Sequence, residues 1–194
     1  MEDSQIAFLK QEARNQAKEV RKKLHKRQHK KAGQQISNLA SNLIREFRFS
    51  IIAGFIPIST EINVIPLMDS LAKKQIQLCL PVTPKKPGSL TFRSYFLGQE
   101  LEVGPLNTQH PFKTSMKVIP QLVLSPLLAF DSHFNRLGYG GGYYDRTIDE
   151  FRSSGSCVKV IGVAYSGQQV DKVPITSKDE PMDGVLTPAG LIMR

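Results

Sequence analysis

The chain has 194 residues, 40% of them apolar and 22% charged, and carries a formal net charge of +9. This composition suits one folded domain with a sizeable core and excludes a disordered chain. No run approaches the roughly 20 apolar residues of a membrane helix, and the acidic opening "MEDSQIAFLK" has no signal-peptide pattern. Two cysteines, Cys79 and Cys157, lie in apolar stretches and read as reduced core thiols of a cytosolic protein.

Residues 4–31 lack Pro and Gly and are rich in helix formers, which predicts one long helix. Ile6, Leu9, Ala13, Ala17, Val20 and Leu24 form its apolar stripe. Between Lys10 and Lys31 the same segment holds ten Lys/Arg against Glu12 and Glu19, a local +8, and the rest of the chain is near neutral. Gly33 predicts a break, with a second helix over 34–47. "SIIAGFIPI" reads as a buried strand ended by Pro57. Asn63 can cap a helix that ends at Lys73 and Lys74. Strands follow at "IQLCLPV" and, after the turn "TPKKPGS", at "LTFRSY" on a more exposed part of the sheet. "LVLSP" is another buried strand, 131–135 a turn, 143–153 a helix, "VKVIGVAY" the last long strand and "MDGVLTP" a short one. Buried strands separated by helices predict an α/β domain over 1–194. Its form is a three-layer sandwich, with a mainly parallel central sheet flanked by helices and an N-terminal helical arm. No apolar helix stripe is left unassigned, which fits a monomer.

"RLGYGGGYYDR", residues 136–146, holds four of the chain's 14 glycines within five residues. Gly138, Gly140, Gly141 and Gly142 permit positive φ and leave backbone N–H groups uncovered. A helix starting directly after them adds free N–H groups and a positive dipole end, so the segment reads as an anion cradle. Arg136 adds a fixed charge. Asp145, in the first helical turn, is placed to hold magnesium beside a phosphate. The loop lacks the Walker Gly-Lys-Ser/Thr ending and is not at the usual place of a dinucleotide fingerprint. A plain glycine turn with a helix-start carboxylate is the other reading. Tyr143 and Tyr144 either pack or stack on a flat ring.

Lys10 and Arg14 share a helix face, with Arg21 two turns further on. They form a solvated face, or fold back onto a nucleotide phosphate at the glycine loop. Nucleic-acid contact is disfavoured, because no aromatic residues interleave and no binding motif is present. Glu61 follows a buried strand at the edge where α/β sheets collect ligands, and a carboxylate there can accept hydrogen bonds from an amino-heterocycle. Asp183 is a second magnesium candidate or a turn residue. The four histidines show no ligand spacing.

"PLLAFDSHFNRLGYGGGYYDR" resembles the signature of the 5-formyltetrahydrofolate cyclo-ligase family. "GFIPISTEINVIPL", "VIGVAYSGQQVDKVPITSKDEPMDGVLTP" and the Lys-x-x-x-Arg helix are similar to further family segments, in the same order along nearly the whole chain. The resemblance implies an ATP- and magnesium-dependent cyclisation of 5-formyltetrahydrofolate to 5,10-methenyltetrahydrofolate, with release of ADP and phosphate. By the same likeness, the ATP contacts are Lys10, Arg14, Arg136, Leu137, Gly138, Tyr139, Gly140, Gly141, Gly142, Tyr143 and Tyr144. The folate contacts are Ile56, Glu61, Tyr139 and Tyr143, the magnesium carboxylates Asp145 and Asp183, and the catalytic candidates Arg136 and Asp145. Tyr139 and Gly141 depart from the basic residues that some relatives carry there. The strongly basic "RKKLHKRQHKK" is either a solvated face or an attraction for the polyglutamate tail of cellular folates. A small-metabolite phosphotransferase of another kind is the rival enzyme.

Overall fold

A computed structural model describes residues 3–194. Helix α1 (Asp3–Ser37) is the longest element and runs unbroken through Gly33, where the sequence predicts a stop. A mid-helix glycine costs about 1 kcal/mol relative to alanine. Here no side chain would fit, because a Cβ on Gly33 would lie 2.8 Å from the Asn63 carbonyl oxygen. The break comes after Ser37, and α2 spans Ala40–Phe47. The buried stripe of α1 is also rotated from the predicted one. Ala17 is buried, but Leu9 and Val20 are 38% and 43% exposed, and Arg21 is only 2% exposed.

The chain continues through β1 (Ile51–Ala53), α3 (Ile65–Ala72), β2 (Gln77–Val82), β3 (Thr91–Tyr95), β4 (Glu102–Val103) and β5 (Gln109–His110). It then forms β6 (Leu122–Pro126), β7 (Ala129–Phe130), β8 (Arg136–Leu137), α4 (Tyr143–Ser153), β9 (Lys159–Val163), β10 (Gly184–Thr187) and β11 (Gly190–Met193). Val64, not the expected Asn63, is the N-cap of α3, although the Asn63 Oδ1 accepts the Ile65 N–H at 3.0 Å from just outside the helix.

Seven strands form the main sheet in the order β11-β10-β9-β6-β1-β2-β3. β1, β2, β6, β9 and β10 pair parallel, and β3 and β11 close the two edges antiparallel. Successive residues face opposite layers, as a pleated strand requires. Ile52, Leu122 and Leu124 pack with Ile36 of α1, Leu43 of α2 and Leu67 of α3. Ala53, Val123 and Val160 pack with Ile148 of α4 on the other side. Each such leucine or isoleucine contributes roughly 1.5–3 kcal/mol on burial. The fold is therefore the expected α/β sandwich with its helical arm.

Cys79 is buried as expected, and burial pushes its thiol up to about 12. Cys157 is exposed, a correction to its expected place in the core. It stands just before β9, where the apolar run "VKVIGV" has not yet entered the sheet.

Strand order reverses between β1 and β6, since β2 flanks one and β9 the other. Open α/β sheets bind ligands at the carboxyl ends of strands beside such a reversal. The N-terminal half of α1 lies over this edge. Its Ala17 packs with Leu128, Ala129, Leu137 and Val173. Among the described residues no helix is long and apolar enough to cross a membrane.

Candidate active site

A cavity of about 800 Å³ opens at the β1/β6 edge. Lys10 and Arg14 of α1 line it, with Ile56 and Glu61 from the segment after β1, Pro126 of β6, the glycine loop, and residues 143–146 of α4. Thr176, Lys178 and Asp179 complete one wall, and residues 106–109 another. Every site residue expected from the sequence lines this cavity except Asp183.

The glycine loop has the conformation that its composition permits. Gly140 sits at φ +101 and Gly142 at φ +64. A Cβ on Gly140 would stand 3.2 Å from the Arg14 guanidinium carbon. Two arginines hold the loop through its carbonyls: Arg14 Nε donates to Gly138 O at 3.1 Å and Arg146 Nη2 to Gly141 O at 2.7 Å. Gly142 is the N-cap of α4, and no side chain caps that end. The first-turn N–H groups and the positive end of the dipole are thus available to an anion.

Arg136 and Asp145 form a largely buried pair. Arg136 Nη2 donates to Asp145 Oδ1 at 2.7 Å, and the Glu180 N–H reaches the same oxygen at 3.1 Å. Among the described residues nothing donates to Asp145 Oδ2. Arg136 Nη1 donates to the Glu180 carbonyl at 2.6 Å, so the pair is fixed to the strap before β10.

Asp183 lies elsewhere. Its Oδ2 accepts the Val160 N–H at 2.9 Å and its Oδ1 pairs with Lys159 Nζ at 3.0 Å. Both partners stand at the start of β9, the sheet edge opposite the cavity. Asp183 therefore ties β10 to β9 and does not face Asp145's cavity. Besides Glu61 and Asp145 the cavity holds a third carboxylate, Asp179, four residues before Asp183, which is not among the candidates read from the sequence. Lys10 Nζ donates to Asp179 Oδ1 at 2.6 Å, and the Thr176 N–H and Oγ1 donate to its Oδ2 at 2.6 and 2.8 Å. Burial raises the Asp179 pKa, but the hydrogen bonds from Lys10 and Thr176 outweigh it and hold the carboxyl below its ordinary value. The Thr-x-x-Asp spacing was the available signal, since it closes a local turn that aims the acid.

Glu61 is 5% exposed. Its Oε2 accepts the Ile58 N–H at 2.9 Å, whereas its Oε1 has no hydrogen-bond partner among the described residues. Burial pushes its pKa up to about 7, against the opposing pull of the Ile58 N–H and Arg21. Arg21 Nη1 stands 3.8 Å from Oε1. The arginine is buried, and its guanidinium lies 5.3 Å over the Tyr139 ring. On the sequence it belonged to a charged helix face. Its seven-residue spacing from Arg14 was the signal for a shared, inward face.

An anion cradle and a buried carboxyl sharing one cavity, at the reversal point of a parallel sheet, mark an α/β enzyme. Residues 7–188 match the model of the 5-formyltetrahydrofolate cyclo-ligase family. The 5-formyltetrahydrofolate cyclo-ligase of Escherichia coli (strain K12) is 32% identical over 143 residues, 71% of this chain and 78% of that protein. The Haemophilus influenzae cyclo-ligase is 32% identical over 152 residues, 76% of this chain and 80% of that one. The solved 5,10-methenyltetrahydrofolate synthetase of Aquifex aeolicus superposes with a TM-score of 0.73 at 26% identity, covering 95% of this chain and 92% of that one. The synthetase of Mycoplasma pneumoniae shares the fold, with a TM-score of 0.72 at 23% identity over 92% of this chain and 98% of that chain. The chain belongs to the 5-formyltetrahydrofolate cyclo-ligase family.

Proposed function

We propose that this chain cyclises 5-formyltetrahydrofolate to 5,10-methenyltetrahydrofolate with hydrolysis of ATP, in the cavity at the β1/β6 edge. One observation carries the reading: a cradle for phosphate and a buried carboxyl with one unpartnered oxygen open into the same space. On this reading Lys10, Arg14 and the loop from Arg136 to Tyr144 receive ATP, and Ile56 packs on the folate ring. Glu61 Oε1 accepts hydrogen bonds from the ring's amino edge. Tyr139 and Tyr143 stand where the two substrates meet.

Transfer of the γ-phosphoryl to the formyl oxygen makes that oxygen part of a phosphate leaving group. The 10-nitrogen then bonds to the formyl carbon, loses its proton, and phosphate departs. The protein's share is positioning and charge neutralisation, which loop N–H groups, Arg14 and Arg136 supply without a protein nucleophile. Arg136 also fixes the Asp145 carboxylate toward the cavity.

Magnesium fits this donor set. The ion commonly takes one or two carboxylates together with phosphate oxygens and water, and the open Oδ2 of Asp145 offers one such ligand, with Asp179 in the same cavity. When bound it would neutralise charge on the phosphate oxygens. Asp183 is not proposed for it.

Four finer features belong to the same reading: a single domain over 1–194, a monomer, a cytoplasmic location, and an attraction of the basic face of α1 for polyglutamylated folate. The last predicts a preference for polyglutamylated substrate that falls as salt rises. It should vanish when Lys26, Arg27, Lys30 and Lys31 are neutralised, and an undiminished preference would refute the attraction. The main test is absorbance of the methenyl product with 5-formyltetrahydrofolate, ATP and magnesium, each omitted in turn. Product only in the complete mixture supports the reaction, and none at all refutes it.

A further inference from the structure

We infer that Arg21 is a positioning residue, one that sets the electrostatics of Glu61 and ties the glycine loop to the folate wall; this rests on the folate reading above. Arg21 does not line the cavity, yet it reaches three of the segments that build it. Its Nε donates to Thr60 Oγ1 at 3.1 Å, beside Glu61 in the chain. Its Nη1 donates to the Leu127 carbonyl at 3.1 Å, just after β6. Its Nη2 donates to the Tyr139 hydroxyl in the middle of the glycine loop.

These three bonds use one N–H from each nitrogen and aim none of them at Glu61. The carboxylate oxygen at 3.8 Å therefore feels the charge of the guanidinium while its lone pairs stay open. A direct bidentate pair would occupy those lone pairs. With no cation at all, the carboxylate would be a poorly compensated buried charge and would hold its proton. The observed geometry keeps the lone pairs open, while the cation draws the carboxyl down from where burial alone would hold it. Only a planar fork can serve Thr60, Leu127 and Tyr139 at once, which a lysine ammonium cannot do. α1 thus grips the glycine loop at two adjacent residues: Arg14 at the Gly138 carbonyl and Arg21 at Tyr139.

The ionisable groups facing Glu61 are Arg21 from α1, Tyr139 from the loop and Tyr144 from α4. His25, one turn beyond Arg21, is lowered by burial and then by His29 and Arg21. The phenols stay protonated under burial, so Arg21 is the fixed cation of the set.

The test uses Arg21→Met, Arg21→Lys and Tyr139→Phe in the full chain. KM for each substrate, the pH profile of kcat/KM for folate, and the titration of Glu61 by NMR of ¹³C-labelled glutamate are measured. Arg21→Met should raise the folate KM by about tenfold and move both the Glu61 titration and the acid limb to higher pH. Arg21→Lys should return the limb toward wild type without restoring the folate KM. Tyr139→Phe should raise the folate KM and leave the Glu61 titration in place. A folded Arg21→Met with a wild-type titration or folate KM overturns the proposal. Should Arg21→Met fail to fold, wild-type folate KM in both other variants overturns it. A wild-type protein that makes no methenyl product overturns the folate reading alone, and the Glu61 titration then decides for Arg21.

Discussion

Glu61 puts binding and stability in opposition over one pH interval. Its pKa is raised from 4.5 to about 7, chiefly by burial. In the unfolded chain it ionises first, so the folded state holds the extra proton between those values. Stability contributed by this group is therefore lost as pH rises from about 4.5 to about 7, and is flat above. Hydrogen-bond acceptance from folate runs the other way and needs the carboxylate. Below pH 7, kcat/KM for folate should climb by about tenfold per unit, then level off. Glu61→Gln should weaken folate binding by roughly 10- to 100-fold and leave ATP binding intact by calorimetry. Its melting temperature should also fall less between pH 5 and 8 than that of the wild type. A wild-type melting curve with no more pH dependence than the variant would contradict the assigned titration.

Asp179 and Asp183, the rival partners of Asp145 for magnesium, separate at the same scale. Asp179→Ala should depress activity strongly at fixed ATP. Asp183→Ala should keep activity and instead lose about 1–3 kcal/mol in a urea titration, because it strips the Val160 N–H of its partner. The reverse pattern would return Asp183 to the site. On the sequence Asp183 is a candidate and Asp179 is not. Asp183 directly precedes β10 and Asp179 stands five residues before it, and only the path of the strap decides which one reaches the carboxyl end of the sheet.

The glycine loop and α1 supply the predictions at the scale of elements. Gly140→Ala forces a side chain into φ +101 and against Arg14, and should raise the KM for ATP with a smaller effect on stability. Gly33→Ala acts the other way. Its Cβ would strike the Asn63 carbonyl, so it should cost about 1–3 kcal/mol in unfolding experiments with little change in either KM. A stabilised Gly33→Ala would mean that helix propensity outweighs the clash. The contrast explains what was legible. α4 and β6 have the bounds expected from the sequence, because local glycines and apolar runs dictate them, whereas the first two residues of the expected loop, Arg136 and Leu137, form β8. The continuity of α1 did not, because a glycine demanded by a neighbouring carbonyl looks the same in sequence as one that ends a helix. The two-residue strands β4, β5, β7 and β8 are too short to show alternation. Arg21 was hidden because a buried cation and a solvated one are the same letter until the packing face is known.

On the scale of the whole molecule, α1 belongs to two environments. Its C-terminal half, with Ala32 and Ile36, is part of the main core, while its N-terminal half lines the cavity through Lys10 and Arg14 and packs beside it through Ala17. One unbroken rod thus has an end sunk in the main core and an end held by Asp179 at Lys10, by Gly138 at Arg14 and by a small apolar cluster at Ala17. Amide hydrogen exchange should register that division. Backbone protection near Ile36 should follow global unfolding whether or not nucleotide is present. Protection around Lys10 and Arg14 should be low in the unliganded protein and grow with occupancy, because opening of these helix turns competes with phosphate capture. The helix would then act as its own reporter of binding, and the position along it where protection stops responding to ATP would mark the border between scaffold and site.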